Sequence, residues 1–283
     1  MATTPFKSIT RLASTRVLVI GGTSGIGFSV AAAALEHGAS VIVASSKATN
    51  VKSAVSRLQG TYPPEYAAKV AGLVCDLGNQ ATLDENVVRL LTEATSPSLF
   101  SAPGESKGAE KVLLDHIAFT AGDTSAPASS GLEDTTVSTV TSMLTVRYFA
   151  PIILAKHLRS YMNLSSASSL TLTSGTNAAK PSIGWSVAAS VGSATEGLTR
   201  GLAVDLAPLR VNTVSPGAVH TELFDRLMGQ KDVLEGALER MANGTLVGKV
   251  ARPEEVAEAY VYCMKDGFVD GLILGSDGGR LLK

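Results

Sequence analysis

A glycine-rich turn is the first part of the sequence whose residue types suit binding chemistry. Gly21, Gly25 and Gly27 follow a short β-branched run and precede an Ala-rich, helix-like stretch. Glycines at such a turn permit positive φ and let the backbone approach a phosphate, whose charge the unpaired N–H groups of a helix N-terminus stabilise. A purely structural turn is the alternative, but the strand before and the helix after favour a pyrophosphate site. The intervening residues assigned to the same site are Thr23, Ser24 and Ile26.

The residues after the second β-branched run bear on which dinucleotide would bind. NAD-specific folds place an acidic residue roughly 20 positions after the glycines, where it binds the ribose 2′-hydroxyl. This chain has Ser45, Ser46 and Lys47 there, and no carboxylate that would repel a 2′-phosphate. The pattern favours NADP(H) over NAD(H), with a solvated turn as the alternative interpretation of Lys47. Because no Lys directly follows the glycines, a Walker-type phosphate loop is excluded.

These residues need a scaffold to position them, and the sequence alternates short β-branched runs with longer Ala-rich stretches. Such alternation is typical of a parallel sheet covered by helices on both faces. We therefore predict an α/β fold, a Rossmann-type doubly wound parallel sheet, as a single domain over residues 1–283. The predicted strands are Arg16 to Ile20, Ser40 to Ala44, Ala71 to Cys75, His116 to Thr120, Ser169 to Thr173, Arg210 to Val214 and Leu272 to Ser276.

Two helices end at ordinary stop signals, and two insertions interrupt the pattern. Phe28 to His37 ends at a C′ glycine, and Gly192 to Leu206 ends shortly before a proline, which cannot continue a helix. Ser96 to Gly108 is rich in Ser, Pro and Gly and is predicted to be a surface loop. The segment 222–250 reads as a helical unit of its own, and we interpret it as a substrate lid.

Composition and charge exclude several classes of partner. The formal net charge of −1 without a basic block gives no footprint for nucleic acid or for an anionic membrane, so a small-molecule partner is expected. No apolar run is expected to approach the roughly 18 residues that span a bilayer, and the N-terminus has no apolar signal region. We expect a soluble, cytoplasmic protein. Cys75 and Cys263 are isolated and the four histidines share no ligand spacing, so no metal site is predicted.

Several spaced motifs carry a resemblance to a known family. Asp76 and Leu77 end the third predicted strand, Phe119-Thr120-Ala121-Gly122 follows the fourth, and Thr173-Ser174 closes the fifth. Arg210-Val211-Asn212-Thr213-Val214-Ser215-Pro216-Gly217 is followed by Val219 and Thr221, and Asp277-Gly278-Gly279 stands near the C-terminus. Along nearly its whole length the chain resembles the short-chain dehydrogenase/reductase family. The resemblance implies that Asp76, Leu77, Thr120, Ala121, Gly122, Thr173, Pro216, Gly217, Val219 and Thr221 contact the cofactor, and that Ser174 is the active-site serine.

The departures from the family pattern concern its catalytic residues. Counted back from Glu196-Gly197-Leu198-Thr199-Arg200, the positions of the family's Tyr-x-x-x-Lys pair fall on Ala188 and Gly192, and the helix asparagine is replaced by Thr145. General acid catalysis of the kind that the tyrosine supplies is worth roughly 10² to 10⁴ in rate. Carbonyl reduction by the family's usual route is therefore not expected.

Pro181-Ser182-Ile183-Gly184-Trp185 adds a more specific likeness. It resembles the Pro-x-x-Gly-Trp element of an atypical fungal branch of the family that lacks the Tyr/Lys pair and includes reductase/Diels–Alderases of indole alkaloid pathways. The resemblance suggests that Trp185 covers the nicotinamide ribose; core packing is the alternative. Those alkaloid enzymes carry Asp where this chain has Ser182.

Three functions are compatible with these residues. An iminium already carries the charge that a carbonyl acquires only by protonation, so an NADPH-dependent reductase of an imine, an iminium or an activated alkene of a secondary metabolite needs no acid. The alternatives are a non-redox cyclase or isomerase, and a non-catalytic NADP-binding protein.

Arg147 is aligned with the active-site helix and could anchor an anionic or carbonyl group, or lie on a solvated helix face. The family resemblance also implies a homodimer or homotetramer through two small-residue-rich helices around Thr145 to His157 and Ala188 to Leu206.

Overall fold

The computed structural model describes residues 7–100, 110–122, 132–222, 224–225 and 231–283, and these residues form one seven-stranded sheet. Every strand pairs in parallel, in the order β3-β2-β1-β4-β5-β6-β7. The order reverses beside β1, and ligands of doubly wound sheets bind outside the carboxyl ends of the strands at such a reversal. The strands are β1 Arg16–Ile20, β2 Ser40–Ser45, β3 Val70–Val74, β4 His116–Phe119, β5 Ser169–Thr173, β6 Arg210–Pro216 and β7 Ile273–Ser276. All seven predicted strands are confirmed, with ends that differ by at most two residues.

The helices cover both faces of this sheet, as the parallel arrangement requires. They are α1 Gly25–Glu36, α2 Ala48–Thr61, α3 Pro64–Ala67, α4 Leu83–Ala94, α5 Val137–Leu144, α6 Ala150–His157, α7 Ser186–Asp205, α8 Lys231–Asn243 and α9 Pro253–Lys265. A π-helical turn, Thr145–Phe149, joins α5 to α6.

The core divides into two apolar layers because successive strand residues point to opposite faces. In β1, Leu18 and Ile20 pack with the layer that includes α4 and α6, whereas Val17 and Val19 pack with the layer that includes α1 and α9. The β1 strand is buried along its whole length. This burial on both faces explains why Val17 to Ile20 form a continuous apolar run, which leads directly into the glycine-rich turn.

The helix starts predicted from the sequence are wrong in two places. The helix predicted from Phe28 begins at Gly25, and the helix predicted from Gly192 begins at Ser186. The first turn of α1 carries Gly25 and Gly27, and a glycine in a packed helix costs only about 1 kcal/mol relative to alanine, so packing retains the turn. The predicted stop after α1 is confirmed, since Gly38 has a φ of +92°.

The two predicted insertions are described only in part. Within Ser96 to Gly108, residues 96–100 form a turn and the remainder lies outside the described residues. Within 222–250 the structure describes helix α8, in agreement with the predicted helical character, whereas residues 223 and 226–230 lie outside the described part.

One stretch contradicts the expectation that nothing in the chain is long and apolar enough to cross a bilayer. The continuous helical segment Val137–Ser160 passes that test by length and composition, with a mean hydropathy of 1.4. Core helices of globular domains pass the same test, and Leu154 and Leu158 of this segment are fully buried in the layer shared with α4. The segment is therefore a covering helix of the sheet, with much of its apolar surface still exposed.

Buried polar groups lie at the amino ends of β4, β5 and β6, away from the glycine-rich turn. His116 is 2% exposed, and its Nδ1 lies 3.0 Å from Ser169 Oγ. Burial, with a smaller contribution from the Arg210 charge, lowers the pKa of His116 to about 3. The Arg210 guanidinium donates to the carbonyls of Cys263 and Met264, which end helix α9. These groups stabilise the fold and do not reach the candidate site.

Candidate active site

The glycine-rich turn leaves β1 at the point where the strand order reverses. Gly21 and Gly25 have φ values of +88° and +51°, in the left-handed region that favours glycine. A Cβ on Gly27 would lie 2.3 Å from the Gly21 carbonyl oxygen and 2.4 Å from Thr120 Oγ1. The turn, the start of α1 and the end of β4 are thus packed so closely that only glycine fits at Gly27. The predicted site residues Thr120 and Ala121 lie directly against this turn.

The N-terminus of α1 presents backbone donors that its own N-cap side chain does not take up. Ser24 is the N-cap residue, and its hydroxyl makes no capping hydrogen bond. The backbone N–H of Gly25 instead donates to the carboxylate of Glu222, at 2.9 Å. An oxyanion therefore already occupies this position, and a phosphate oxygen suits the same donor. Thr221 packs beside it, since a Cβ on Gly25 would lie 3.0 Å from Thr221 Cγ2.

The ends of β2 and β3 bring the next predicted residues to the same edge of the sheet. Ser45 ends β2 and is half-buried, whereas Ser46 and Lys47 are exposed, with Lys47 at the N-cap of α2. Asp76 accepts a hydrogen bond from the N–H of Gly78, at 2.9 Å. The side chain of Leu77 is buried in the core. For Leu77, this leaves the backbone as the part that can face a ligand.

A cavity of about 190 Å³ opens beyond the glycine-rich turn, at the ends of β5 and α7. Among the residues that the structure describes, its lining holds one charged side chain, Arg147, and no tyrosine, lysine or histidine. Ala188 and Gly192, the positions to which the sequence assigns the missing Tyr-x-x-x-Lys pair, both line it. The other lining residues are Met143, Thr173, Ser174, Gly175, Asn177, Ala178, Trp185, Val191 and Thr195.

Ser174 faces this cavity and is held by a residue that the sequence reasoning did not assign to the site. Its hydroxyl donates to the carboxylate of Glu196, at 3.0 Å, with the carbonyl of Gly192 as a second acceptor at 3.3 Å. A Cβ on Gly192 would lie 3.2 Å from Ser174 Oγ. Glycine at 192 thus leaves the space around the hydroxyl open, and Glu196, one helical turn further on, reaches it.

Thr173 and Tyr260 form a second hydroxyl pair behind the cavity wall. The Thr173 hydroxyl donates to the carbonyl of Phe119 at 2.7 Å and lies 2.6 Å from the Tyr260 hydroxyl, which therefore donates to it. Burial raises the pKa of Tyr260 well above its ordinary value. Tyr260 is fully buried and does not line the cavity, so it does not replace the family's missing tyrosine.

Arg147 projects from the π-helical turn into the cavity and against the β4 end. A Cβ on Gly122 would lie 2.3 Å from an Arg147 guanidinium nitrogen, so the glycine leaves room for the guanidinium. Arg147 lines the same cavity as Ser174, so it does not lie on a wholly solvated helix face, and its role towards a substrate stays a prediction. Thr145, at the position of the family's helix asparagine, is buried, accepts from Gln80 and donates to the Thr141 carbonyl.

Trp185 lines the same cavity as the N-cap residue of α7. It is half-buried and belongs to neither apolar layer of the core, so core packing does not account for it. The loop before Trp185 turns at Gly184, whose φ is +80°. The backbone N–H of Trp185 donates to the carbonyl of Ser182 at 3.1 Å. The indole is thus carried to the mouth of the cavity by the Pro-x-x-Gly-Trp element.

The residues after β6 close the other side of the site. Pro216 ends the strand, the N–H of Gly217 donates to the carbonyl of Ser276 at 3.0 Å, and Val219 pairs with Ala251. Thr221 follows and lines a second cavity of about 260 Å³ with Gly25, Arg57 and Glu222. His220 lies in that second cavity and contacts Asp225 at 2.6 Å, away from the lining around Ser174.

A parallel sheet with a glycine-rich turn at its reversal point and a serine-lined cavity beside it defines a Rossmann-type dinucleotide-binding protein. The family model described as an SDR-like Rossmann domain matches residues 8–283. The chain belongs to the short-chain dehydrogenase/reductase family.

Its relatives include fungal members of that family. The short-chain dehydrogenase/reductase malC of Malbranchea aurantiaca is 42% identical over 267 residues, which cover 94% of each chain. The structure of MalC reductase/Diels-Alderase from Malbranchea aurantiaca is similar at a TM-score of 0.86, with 41% identity over 98% of this chain and 100% of that one. A small-chain dehydrogenase in complex with NADPH is similar at a TM-score of 0.70, with 26% identity over 95% of this chain and 100% of that one.

Proposed function

We propose that this protein is an NADP(H)-dependent oxidoreductase that reduces an imine, an iminium or an activated double bond of a secondary metabolite. The observation that carries the proposal is the pairing of two features in one site. The glycine-rich turn is packed as a dinucleotide-binding turn requires, whereas Ala188 and Gly192 leave the adjoining cavity without the family's proton donor. Such a site suits an acceptor that needs no protonation by the protein.

The donor set around the turn fits the cofactor. The N–H groups at the start of α1 would hold the pyrophosphate, as the carboxylate of Glu222 on the Gly25 N–H indicates. Ser45, Ser46 and Lys47 would receive the 2′-phosphate. The NADPH in a structure 26% identical to this chain supports the choice of the phosphorylated form. Asp76, Ala121, Gly122 and Trp185 would flank the adenine and nicotinamide ends.

The cofactor supplies a hydride when it is bound, and the chain's own residues orient the acceptor and exclude water. Trp185 and Met143 give the cavity apolar walls, while Arg147 offers a cation to a carbonyl or carboxylate of the substrate. Ser174, which the family resemblance assigns as the active-site serine, contributes its hydroxyl to the cavity. Reduction of C=N⁺ yields a neutral amine directly, so these positioning tasks suffice for the chemistry.

Stopped-flow mixing tests this function with dihydroisoquinoline, a cyclic imine that is partly protonated near neutral pH. We expect loss of NADPH absorbance in a single turnover, slowed at least roughly tenfold in Ser174→Ala because the substrate loses the Ser174 hydroxyl as a partner. Ser190→Ala is the matched control, since Ser190 lies exposed on α7 and donates to the Val187 carbonyl. The proposal fails if NADPH binds but a panel of cyclic imines and activated alkenes leaves it unoxidised.

A second candidate function is cyclisation without net redox change. Its support is the similarity to a structure named MalC reductase/Diels-Alderase, at 41% identity. Ser182 is exposed and lies 3.4 Å from the Arg280 guanidinium, so its hydroxyl faces the protein surface. Product formation from a diene precursor with oxidised cofactor, or with none, would favour this candidate over the reductase.

Assembly and a lid complete the proposal. We propose a homodimer or homotetramer through the helices around Thr145 to His157 and Ala188 to Leu206, on the second of which Val204 is 78% exposed. Light scattering would show a monomer if the proposed assembly is wrong.

We also propose that segment 222–250, which contains α8, covers the bound substrate. Proteolysis within this segment should slow when cofactor and amine product are added.

A further inference from the structure

The hydrogen-bond polarity of Ser174 narrows the class of substrate. A serine hydroxyl has one proton to donate and two lone pairs to accept with. Both partners within reach of Ser174 Oγ are acceptors, the Glu196 carboxylate at 3.0 Å and the Gly192 carbonyl at 3.3 Å. The carboxylate is the charged acceptor and lies at the shorter distance, so it takes the proton and the hydroxyl turns its lone pairs towards the cavity.

We infer that Glu196 is a positioning residue that makes Ser174 a hydrogen-bond acceptor, so that the cavity selects substrates with a protonated C=N–H⁺ group over carbonyl compounds. The inference rests on the proposed function and deepens it. A carbonyl oxygen needs a donor, and a serine held by a carboxylate offers none. An iminium N–H needs an acceptor, and the carboxylate charge behind Ser174 strengthens one.

The local sequence explains why this arrangement is available here. Gly192 occupies the position of the family's lysine, and a Cβ there would meet Ala178 Cβ at 3.0 Å and Ser174 Oγ at 3.2 Å. Glu196 lies four residues further along α7, on the same face of the helix. Because no long side chain stands at 192, the Glu196 carboxylate reaches the serine from below the cavity without lining it.

Arg147, the charged side chain that lines the cavity, suits a complementary task. Arg147 reaches the cavity from the π-helical turn and packs against Gly122, while the Glu196 carboxylate is bound to Ser174. A substrate with a protonated nitrogen and a carbonyl group on one ring system would thus meet an acceptor at Ser174 and a cation at Arg147. Each group of such a substrate finds a partner of opposite polarity.

Calorimetry with two probes of one ring system separates this role from a structural one. The first probe is tetrahydroisoquinoline, a protonated amine that cannot react with NADPH, and the second is the N-methyl lactam of the same bicycle, a neutral carbonyl acceptor. In Glu196→Gln the amide can donate to Ser174, which leaves only the longer, 3.3 Å contact with the neutral Gly192 carbonyl to compete with a substrate for the serine proton. We expect amine binding to weaken by at least roughly tenfold and lactam binding to hold or tighten.

Two further variants make the result decisive. Glu196→Asp keeps the carboxylate and should recover part of the preference for the amine, whereas Asp205→Asn removes an equal charge from the exposed end of the same helix and should leave it unchanged. Equal losses for both probes in Glu196→Gln, or an unchanged ratio of the two affinities, would overturn the inference.

The outcome is distinguishable from failure of the proposed function. If wild-type protein reduces dihydroisoquinoline and Glu196→Gln leaves the affinity ratio unchanged, the reductase assignment stands and the role of Glu196 falls. If neither dihydroisoquinoline nor any other imine or alkene of the panel oxidises NADPH, the amine and lactam titrations on cofactor-free protein still report the polarity of Ser174, and the expected change in Glu196→Gln would uphold it.

Discussion

The carboxylate of Glu222 accepts a hydrogen bond from the backbone N–H of Gly25, 2.9 Å away, at the N-terminus of helix α1. Glu222 also pairs with Arg57 at 3.7 Å, and both side chains are half exposed. A negatively charged side chain thus stands at the donor that we assign to the cofactor pyrophosphate. Binding of the cofactor has to displace this carboxylate.

Glu222→Gln is therefore expected to tighten NADPH binding. The variant keeps the shape of the side chain and removes the charge that opposes the pyrophosphate, which is worth about 1 kcal/mol and hence roughly fivefold in Kd. Titration calorimetry of wild type and variant measures the change. Glu258→Gln, which removes a charge from an exposed position of α9, is the control and should bind as wild type does. Weaker binding by Glu222→Gln would contradict this account of the turn.

Lys47→Ala should reduce the preference for the phosphorylated cofactor. The loss of a cation next to the 2′-phosphate is expected to weaken NADPH binding by roughly tenfold and to leave NADH binding nearly unchanged. The matched control is Lys52→Ala, since Lys52 is an exposed residue of the same helix, α2. Equal effects of Lys47→Ala on both cofactors would place the 2′-phosphate elsewhere.

Gly27→Ala should damage both the fold and the cofactor site. Its Cβ would lie 2.3 Å from the Gly21 carbonyl oxygen, so the backbone must shift, at a cost of about 1–3 kcal/mol in the free energy of unfolding. Gly60→Ala is the control, because no atom lies within 4 Å of the added Cβ in α2. That change should stabilise the protein by about 0.5–1 kcal/mol. Denaturant unfolding and NADPH titration would show whether the two alanines differ in this way.

His116 predicts a dependence of stability on pH. Its pKa in the folded protein is lowered to about 3 from 6.5, so below pH 6.5 the unfolded chain takes up a proton that the folded chain does not. The free energy of unfolding is therefore unaffected above that pH and falls as the pH decreases towards 3, by up to about 1.4 kcal/mol per pH unit. His116→Asn should show a shallower loss between about pH 6.5 and pH 5. If the free energy of unfolding falls equally steeply with decreasing pH in wild type and variant over that interval, His116 is not the group responsible.

The sheet was predictable because parallel strands buried on both faces leave a strong mark on the sequence. Val17 to Ile20 of β1 form an unbroken apolar run. Glycine is required after this run because Gly27 lies so close to the end of β4. The absence of the Tyr/Lys pair was equally readable, and the structure places Ala188 and Gly192 on the cavity wall.

Glu196 and Glu222 were not predictable in the same way. Glu196 served in the sequence only to fix the register of the helix, and its contact with Ser174 depends on the space that Gly192 leaves and on a rotamer. Glu222 reaches Gly25 from 197 positions away along the chain. The start of α1 was misplaced for a related reason, since packing of Gly25 and Gly27 overrides their weak helix propensity.

The central claim is that the turn and cavity hold a phosphorylated nicotinamide dinucleotide, and Trp185 offers a direct reading of it. Trp185 is the single tryptophan of the chain and lines the cavity, so its fluorescence reports on that site alone. We predict that NADPH quenches this emission with energy transfer to the reduced nicotinamide, saturably and in the micromolar range, and that NADP⁺ competes. Unchanged Trp185 emission together with no heat of binding for either form would contradict the claim.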